Sequence, residues 1–142
     1  MPLDAENPLG FILSRTYLAF KRTNARTMKS YEITPEQYGV IRELNKSDGI
    51  SQKRRAKLTE RDQTTVGKIL DKLTVKKLVN RTTDPNDRRA VLLYLTPKGR
   101  ELIELLNPEL VLIQEQAFKD FDENEIEIFI RAMDKIHRNV SQ

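Results

Sequence analysis

The sequence predicts a mainly α-helical protein with a small β-wing, arranged as a winged helix-turn-helix between flanking helices. Apolar residues recur at helical spacing through most of the chain. Two strand-like runs, 79–83 and 90–95, enclose the turn-forming cluster 84–89. Residues 51–100 carry 14 Lys/Arg against 5 Asp/Glu, a balance of +9, whereas residues 101–142 carry 4 against 10, or −6. We therefore expect a folded basic surface in the middle of the chain, with duplex DNA as its simplest partner.

Composition narrows the class of function. The chain has 142 residues, enough for one compact domain or for a small domain with dimerising extensions. It has no Cys and a single His, His137, so we expect no metal site, no cofactor and no enzymatic activity. No stretch approaches the ~18 apolar residues of a membrane span, and the N-terminus lacks a signal-peptide pattern. These features predict a soluble, cytoplasmic protein.

The first predicted helix, residues 8–30, has an unusually wide apolar face. Two stripes run along it, one of which contains Phe11 and the other Tyr17. Such a face is explained equally by ordinary core packing and by contact with another subunit. Phe11, Tyr17 and Tyr38 are also candidates for lining a ligand pocket at a domain junction, although each residue type is more often plain core.

The second helix has a strong start signal at residues 33–38. Thr34 can cap it, Pro35 suits its first position, and Gln37 can complete a capping box with Thr34. Ile33 can pack on Tyr38 as a hydrophobic staple.

Two further helices complete the expected helix-turn-helix. Residues 47–49 end the preceding helix, and Ser51 caps the next one, which has Ala56 and Leu58 on its inner side. Asp62 then caps a helix whose inward residues fall at i, i+3, i+4 and i+7: Val66, Ile69, Leu70 and Leu73.

The opposite face of that last helix has the composition of a DNA-reading surface. It presents Gln63, Thr64, Thr65, Lys68 and Lys72. Small polar and amide side chains in the first turn suit contact with base edges, and lysines further along suit contact with phosphates. Gly67 would let the backbone approach a groove closely. A solvated helix face has a similar composition, so this pattern alone does not decide between the two.

The predicted wing places Arg88 and Arg89 at the tip of the turn cluster 84–89. Exposed arginines on a projecting hairpin can enter a narrow minor groove, where the negative potential is enhanced. Asp87 could hold one guanidinium by a charge-assisted hydrogen bond. The alternative is a solvated turn with a local ion pair, which contributes little to stability.

The C-terminal segment predicts two more helices. Thr96 and Pro97 start the first, and Pro108 inside it predicts a kink. Asp122 and Glu125 predict a capping box for the last helix. Its apolar face contains Ile126, Phe129, Ile130, Met133 and Ile136.

Three runs, residues 73–81, 84–90 and 95–99, resemble the MarR family of bacterial transcription regulators in order and spacing. The resemblance implies a homodimer that reads a pseudo-palindrome and is in many cases a repressor released by a small ligand. It implies that residues 1–33 and 97–142 form the dimerisation region and 34–96 the DNA-binding region. With the residue patterns above, it predicts this set of DNA-binding residues: Ser51, Gln52, Lys53, Gln63, Thr64, Thr65, Lys68, Lys72, Lys76, Asp87, Arg88 and Arg89.

Other interpretations remain open. Arg55 occupies a position that is usually apolar in the family, which leaves the DNA contacts of its helix undecided. The basic domain could dock a protein or an RNA rather than read DNA sequence. An enzyme using a carboxylate pair such as Asp122 and Glu125 is disfavoured, because both already have a capping role and no nucleophile–base set accompanies them.

Overall fold

The computed structural model describes Glu6 and residues 8–46, 50–51 and 63–141. Its helices are α1 (Leu9–Lys29), α2 (Pro35–Lys46), α3 (Gln63–Val75), α4 (Pro97–Ala117) and α5 (Glu123–Val140), and its strands are β1 (Ile50–Ser51), β2 (Val79–Asp84) and β3 (Asp87–Leu95). The predicted mainly helical fold with a β-wing is confirmed. The predictions for Ala56, Leu58, the Asp62 cap, Arg55 and the helix stop at 47–49 lie outside the described residues.

The chain divides into two compact units, residues 1–110 and 111–142. The first unit contains α1 to α3, the sheet and most of α4. The second contains the end of α4 and all of α5. This boundary separates two spatially compact parts of the chain. The predicted division at residues 33 and 97 separates a dimerisation region from a DNA-binding region, and it stays a prediction.

The core of the first unit lies where α2, α3, β3 and α4 meet. Its largest fully buried side chains are aliphatic: Ile41, Leu44, Leu70, Leu73, Leu93 and Leu106. The predicted inner face of α3 is confirmed at Val66, Leu70 and Leu73, each 0% exposed. Helical spacing brings these side chains onto one stripe, and burying them away from water stabilises the packing of α3.

The predicted capping box of α2 is present. The Thr34 hydroxyl accepts a hydrogen bond from the Gln37 backbone N–H (3.1 Å), and the Gln37 side-chain oxygen accepts one from the Thr34 N–H (3.2 Å). Ile33 and Tyr38 are both buried, as a hydrophobic staple requires. The entry of the chain into α2 is therefore fixed locally.

The sheet has three strands in the order β1-β3-β2, both pairings being antiparallel. The short strand β1, which pairs with β3 through Ile50 and Leu93, was not predicted. The hairpin is also longer than predicted, because β2 and β3 leave only Pro85 and Asn86 in the turn. The Asp84 carboxylate accepts a hydrogen bond from the Asn86 N–H (2.9 Å), which supports this tight connection.

Helix α4 begins as predicted and continues through its internal proline. The Thr96 hydroxyl caps the helix by accepting a hydrogen bond from the Gly99 N–H (3.0 Å). Pro108 lies inside α4 without ending it, although a proline lacks the N–H that would bond to the preceding turn. Gly99 packs closely, since a Cβ there would lie 2.5 Å from the Leu78 carbonyl oxygen.

The second unit contains the second predicted capping box. The Asp122 carboxylate accepts from the Glu125 N–H (2.8 Å), and the Glu125 carboxylate accepts from the Asp122 N–H (3.0 Å). Phe118 contacts Phe121 and Phe129 edge to face, with ring centroids 5.8 and 5.9 Å apart. Helix α5 is strongly amphipathic, yet none of its residues is buried.

The contrast between Gly99 and Gly39 gives a test of the packing of α4. We expect Gly99→Ala to cost roughly 1–3 kcal/mol, because the new methyl meets backbone at a distance that cannot relax locally. Gly39→Ala is the matched control in α2, where a Cβ meets nothing within 4 Å, and it should stabilise by about 0.4–1 kcal/mol. Urea unfolding of both variants measures the difference, and equal stabilities would contradict the close approach at Gly99.

Candidate nucleic-acid interface

The outer face of α3 presents the polar side chains that the sequence predicted. Thr64, Thr65, Lys68 and Lys72 are all exposed, opposite the buried aliphatic stripe of the same helix. Gln63 is the first residue of α3. The first turn therefore carries hydroxyl groups and the following turns carry ammonium groups, an arrangement suited to base edges and then phosphates.

The hairpin formed by β2 and β3 contains a bulge at the two arginines. Thr83 is opposite Val91, but the next β2 residue, Asp84, is opposite Asp87. Three residues of β3 therefore have no opposite residue in β2: Arg88, Arg89 and Ala90. A bulge bends its strand, increases the local twist and redirects side chains away from the regular pleat. Both arginines are exposed, so the hairpin can present their guanidinium groups to a groove.

The placement of these arginines corrects one detail of the prediction. They lie in β3, after the turn, rather than at the tip of a long turn, because strand pairing extends to Asp87. The Asp87 carboxylate accepts from the Arg89 backbone N–H (3.0 Å) instead of holding a guanidinium. Within the described part of the chain, neither guanidinium forms an ion pair, and both are available to an external anion.

The ammonium group of Lys76 folds back onto the α1–α2 connection. It donates to the Glu32 carbonyl oxygen and to the Gln37 side-chain oxygen, the latter at 3.1 Å. The side chain is half-buried, so the C-terminal end of α3 is attached to the α1–α2 connection. Its predicted contact with phosphate is not tested by this arrangement and stays a prediction.

Three predicted DNA-binding residues lie between α2 and α3 in the sequence. Ser51 ends strand β1, whereas Gln52 and Lys53 lie outside the described residues. The roles predicted for these residues remain predictions.

Arg81 is a residue of this surface that sequence reasoning did not assign. It lies in β2 and bonds to α3 through Asp71 (2.6 Å) and the Gly67 carbonyl oxygen (3.2 Å). Gly67 therefore accepts a hydrogen bond from β2 on one side of α3. A signal existed in the sequence, since Arg81 shares the alternating face of buried Val79, where a charged side chain must find partners.

The residues proposed for a ligand pocket are not alike in their surroundings. Phe11 and Tyr17 are each 59% exposed on α1, whereas Tyr38 is buried, and that burial raises the pKa of its hydroxyl above the ordinary value. A separate open cavity of about 620 Å³ lies beside the C-terminal end of α3. Its charged lining consists of Lys76, Lys77, Lys98, Glu32 and Glu101.

Tyr31 also lines this cavity and joins the α1–α2 connection to α4. Its hydroxyl donates a hydrogen bond to the Glu109 carboxylate. This bond, with partial desolvation and the negative charge of Glu109, raises the pKa of Tyr31 above its ordinary value. The hydroxyl therefore remains a proton donor to Glu109 at neutral pH.

Two kinds of feature are absent from the part of the chain that the structure describes. No helix there is long and apolar enough to cross a membrane. No group of three or more His, Asp or Glu side chains there is placed to hold a metal ion.

Comparison with known protein sequences identifies transcription regulators among the relatives of this chain. The model of the MarR family matches residues 33–91. A putative transcriptional regulatory protein for the hcr operon of Thauera aromatica is 34% identical over 111 residues, which cover 78% of this chain and 66% of that protein. The matched segment thus spans just under two thirds of that relative. The transcriptional repressor NicR of Pseudomonas putida is 28% identical over 75% of this chain and 68% of its own length.

Solved structures have the same fold. The Bordetella bronchiseptica regulator BpsR, whose DNA binding is regulated by 6-hydroxynicotinic acid, superimposes with a TM-score of 0.85 at 29% identity, covering 96% of this chain and 97% of its own. MepR of S. aureus in complex with DNA gives a TM-score of 0.88 at 24% identity, with coverage of 94% and 99%. The MepR likeness shows the fold alone.

Proposed function

Because the chain belongs to the MarR family, we propose that it is a transcriptional regulator that binds duplex DNA sequence-specifically as a homodimer. The observation that carries this proposal is the combination of an exposed Thr/Lys face on α3 with a bulged hairpin. The hairpin bears two exposed arginines that form no ion pair with any described residue. Both surfaces lie in the basic part of the chain, where residues 51–100 carry a net charge of +9. A polyanion with two grooves matches both surfaces.

Each surface takes a distinct part in this proposal. Gln63, Thr64, Thr65 and Lys68 contact bases in the major groove, while Arg88 and Arg89 enter the adjacent minor groove. The remaining basic and polar residues meet phosphates, which position the protein without reading sequence: Ser51, Gln52, Lys53, Lys72 and Lys76. Asp87 fixes the backbone of the wing through its bond to the Arg89 N–H.

The homodimer is supported by apolar side chains that the single chain leaves exposed. On α1, Leu9, Phe11 and Tyr17 are 46%, 59% and 59% exposed. On α5, Phe129 and Ile130 are 38% and 50% exposed on the apolar face. A soluble chain rarely leaves this much apolar surface in water unless a partner covers it. We propose that a second copy covers both terminal helices.

We further propose that the protein acts as a repressor in the cytoplasm and has no enzymatic activity. Support comes from the names of its relatives, one of which is a transcriptional repressor. The proposed partner, chromosomal DNA, supports the proposed cytoplasmic location. The alternative, a module that docks protein or RNA, is an outcome of the first experiment.

That experiment selects bound sequences from a random duplex pool at physiological salt. We expect a pseudo-palindrome whose half-sites are about one helical turn, ~34–36 Å, apart, because a two-fold dimer places two α3 helices on one face of DNA. Binding without an enriched motif, lost uniformly as salt rises, would show charge attraction alone. That outcome would favour the docking module.

The wing is tested by Arg89→Ala. We expect it to weaken operator binding by roughly 1–3 kcal/mol, because a guanidinium in a narrow minor groove is lost. Arg138→Ala on α5 removes the same charge from an exposed site in the acidic part of the chain and serves as the control. Gel-shift titration compares them, and equal small effects in both variants would argue against a minor-groove role.

The dimer is tested by two isoleucines of α5. Ile130 lies on the apolar face, while Ile128, 59% exposed, lies about 160° around the helix. We expect Ile130→Asp to shift the sedimentation equilibrium towards monomer, because a buried interface would have to hold an unpaired carboxylate. Ile128→Asp should change it little. Dissociation by neither variant would remove the apolar face of α5 from the proposed interface.

We also propose control by a small organic anion. The cavity beside α3 has a suitable volume, and its three lysines outnumber its two glutamates. The ammonium groups of Lys76 and Lys98 bond to neutral oxygens, so their charges are not cancelled by direct ion pairs in the described structure. Their residues join α3 to other elements, so occupation of the cavity can alter the position of α3.

A panel of aromatic carboxylates, including 6-hydroxynicotinate, tests this control. We expect one member to raise the melting temperature and weaken operator binding, because it binds the DNA-free form better. Lys98→Ala should reduce both effects, whereas Lys119→Ala, outside the cavity lining, should not. A compound that raises the melting temperature and leaves operator affinity unchanged would contradict release by an effector.

A further inference from the structure

Arg81 joins the β-hairpin to the proposed recognition helix at two points. One terminal nitrogen of its guanidinium is 2.6 Å from the Asp71 carboxylate, and the other is 3.2 Å from the Gly67 carbonyl oxygen. Asp71 and Gly67 are four residues apart, so both acceptors lie on one side of α3, separated by one turn. We refer to this arrangement of Arg81, Asp71 and Gly67 as the clamp.

The clamp supplies a directional restraint that the core packing of α3 lacks. The inner face of the helix rests on aliphatic side chains, Val66, Leu70 and Leu73, each fully buried. Burial of apolar surface resists separation of the helix from the core, but the hydrophobic effect is not directional and does not by itself specify one rotation about the helix axis. A planar guanidinium with two fixed donors does resist such a rotation.

Asp71 also matters through its charge. It is the only acidic residue of α3, and it lies seven residues after Thr64 and three after Lys68, on the stripe proposed to face DNA. Its side chain is 67% exposed. An unpaired carboxylate on that stripe would repel phosphate, and the adjacent guanidinium of Arg81 compensates its charge.

The position of the Arg81 side chain is energetically unfavourable for one of its hydrogen-bond donors. Its Nε is buried and has no hydrogen-bond partner among the described residues. Buried donors without partners are rare in native proteins. The two hydrogen bonds from the terminal nitrogens to α3 thus explain the position of the guanidinium, although its Nε donor has no partner among the described residues.

We propose that Arg81 is a positioning residue for DNA readout. It sets the rotation of α3 and compensates the charge of Asp71 without itself contacting a base. This inference rests on the proposed function, since it concerns how the same helix meets DNA. Its partner remains duplex DNA, and what it adds is a determinant of sequence specificity outside the contact surface.

The test compares binding to the selected operator with binding to a random duplex of equal length, by fluorescence anisotropy. Three variants are used: Arg81→Lys, Asp71→Ala and, as the control, Arg131→Ala. Arg131 forms an ion pair of the same 2.6 Å length with Glu127, but within exposed α5. Circular dichroism and melting curves of each variant separate changes in readout from loss of fold.

Asp71→Ala separates the two roles of the clamp. The lost negative charge should tighten binding to the random duplex, while the loosened helix should weaken binding to the operator. We expect the ratio of the two affinities to fall by roughly tenfold, the size of effect that one good base contact carries. A structural role alone would lower stability without moving the two affinities in opposite directions.

Arg81→Lys keeps the charge but not the two-pronged geometry. Binding to the random duplex should therefore stay near the wild-type value, and binding to the operator should weaken. Wild-type affinity ratios in both clamp variants would overturn the inference while leaving the proposed function intact. A wild-type protein with no preference between the two duplexes would overturn the proposed function and this inference together.

Discussion

The C-terminal end of α3 is joined by hydrogen bonds to two other parts of the chain, the start of α4 and the α1–α2 connection. The start of α4 holds the carbonyl oxygens of three consecutive residues: Lys98 donates to Lys76, the Thr96 hydroxyl donates to Lys77, and the Thr96 N–H donates to Leu78. Lys76 in turn donates to the α1–α2 connection. A helix end leaves its last carbonyl groups without helical partners. Here Lys72, Leu73 and Thr74 accept hydrogen bonds from the N–H groups of residues 76–78, and the carbonyl groups of those three following residues are the attachment points. The orientation of α3 is thereby linked to both neighbouring helices.

That attachment explains why the two ends of α3 can have different roles. The C-terminal end is fixed by the hydrogen bonds of residues 76–78, and the middle is fixed by Arg81. The first turn carries exposed hydroxyl side chains at Thr64 and Thr65. Side chains that read bases must be presented by a backbone that does not move on contact, because ordering it at that moment would reduce affinity. A rigid base with a polar, accessible first turn meets this requirement.

The terminal helices solve a different physical problem. Helix α5 has a capping box that makes its start locally stable, yet no residue of it is buried in the single chain. Local stability and absence of burial together describe a helix whose apolar face is completed by another surface.

The sequence by itself determined most of the local structure of this protein. Both capping boxes, the Thr96 cap and the buried stripe of α3 were predicted correctly, because each depends on residues within a few positions of one another. The exposed face of α3 followed from the same periodicity. The charge balance of residues 51–100 indicated a polyanionic partner, and the resemblance to the MarR family added the expectation of a homodimer that reads a pseudo-palindrome.

Tertiary structure alone decided the features that join distant residues. Strand β1, the bulge that carries Arg88 and Arg89, and the inward turn of Lys76 were not predicted. Nor was the bond between Arg81 and Asp71, ten residues apart on different elements. The partners of strands and of long polar side chains depend on how the elements pack. A buried charge or backbone group must form a hydrogen bond, and the tertiary structure determines which acceptors lie within reach.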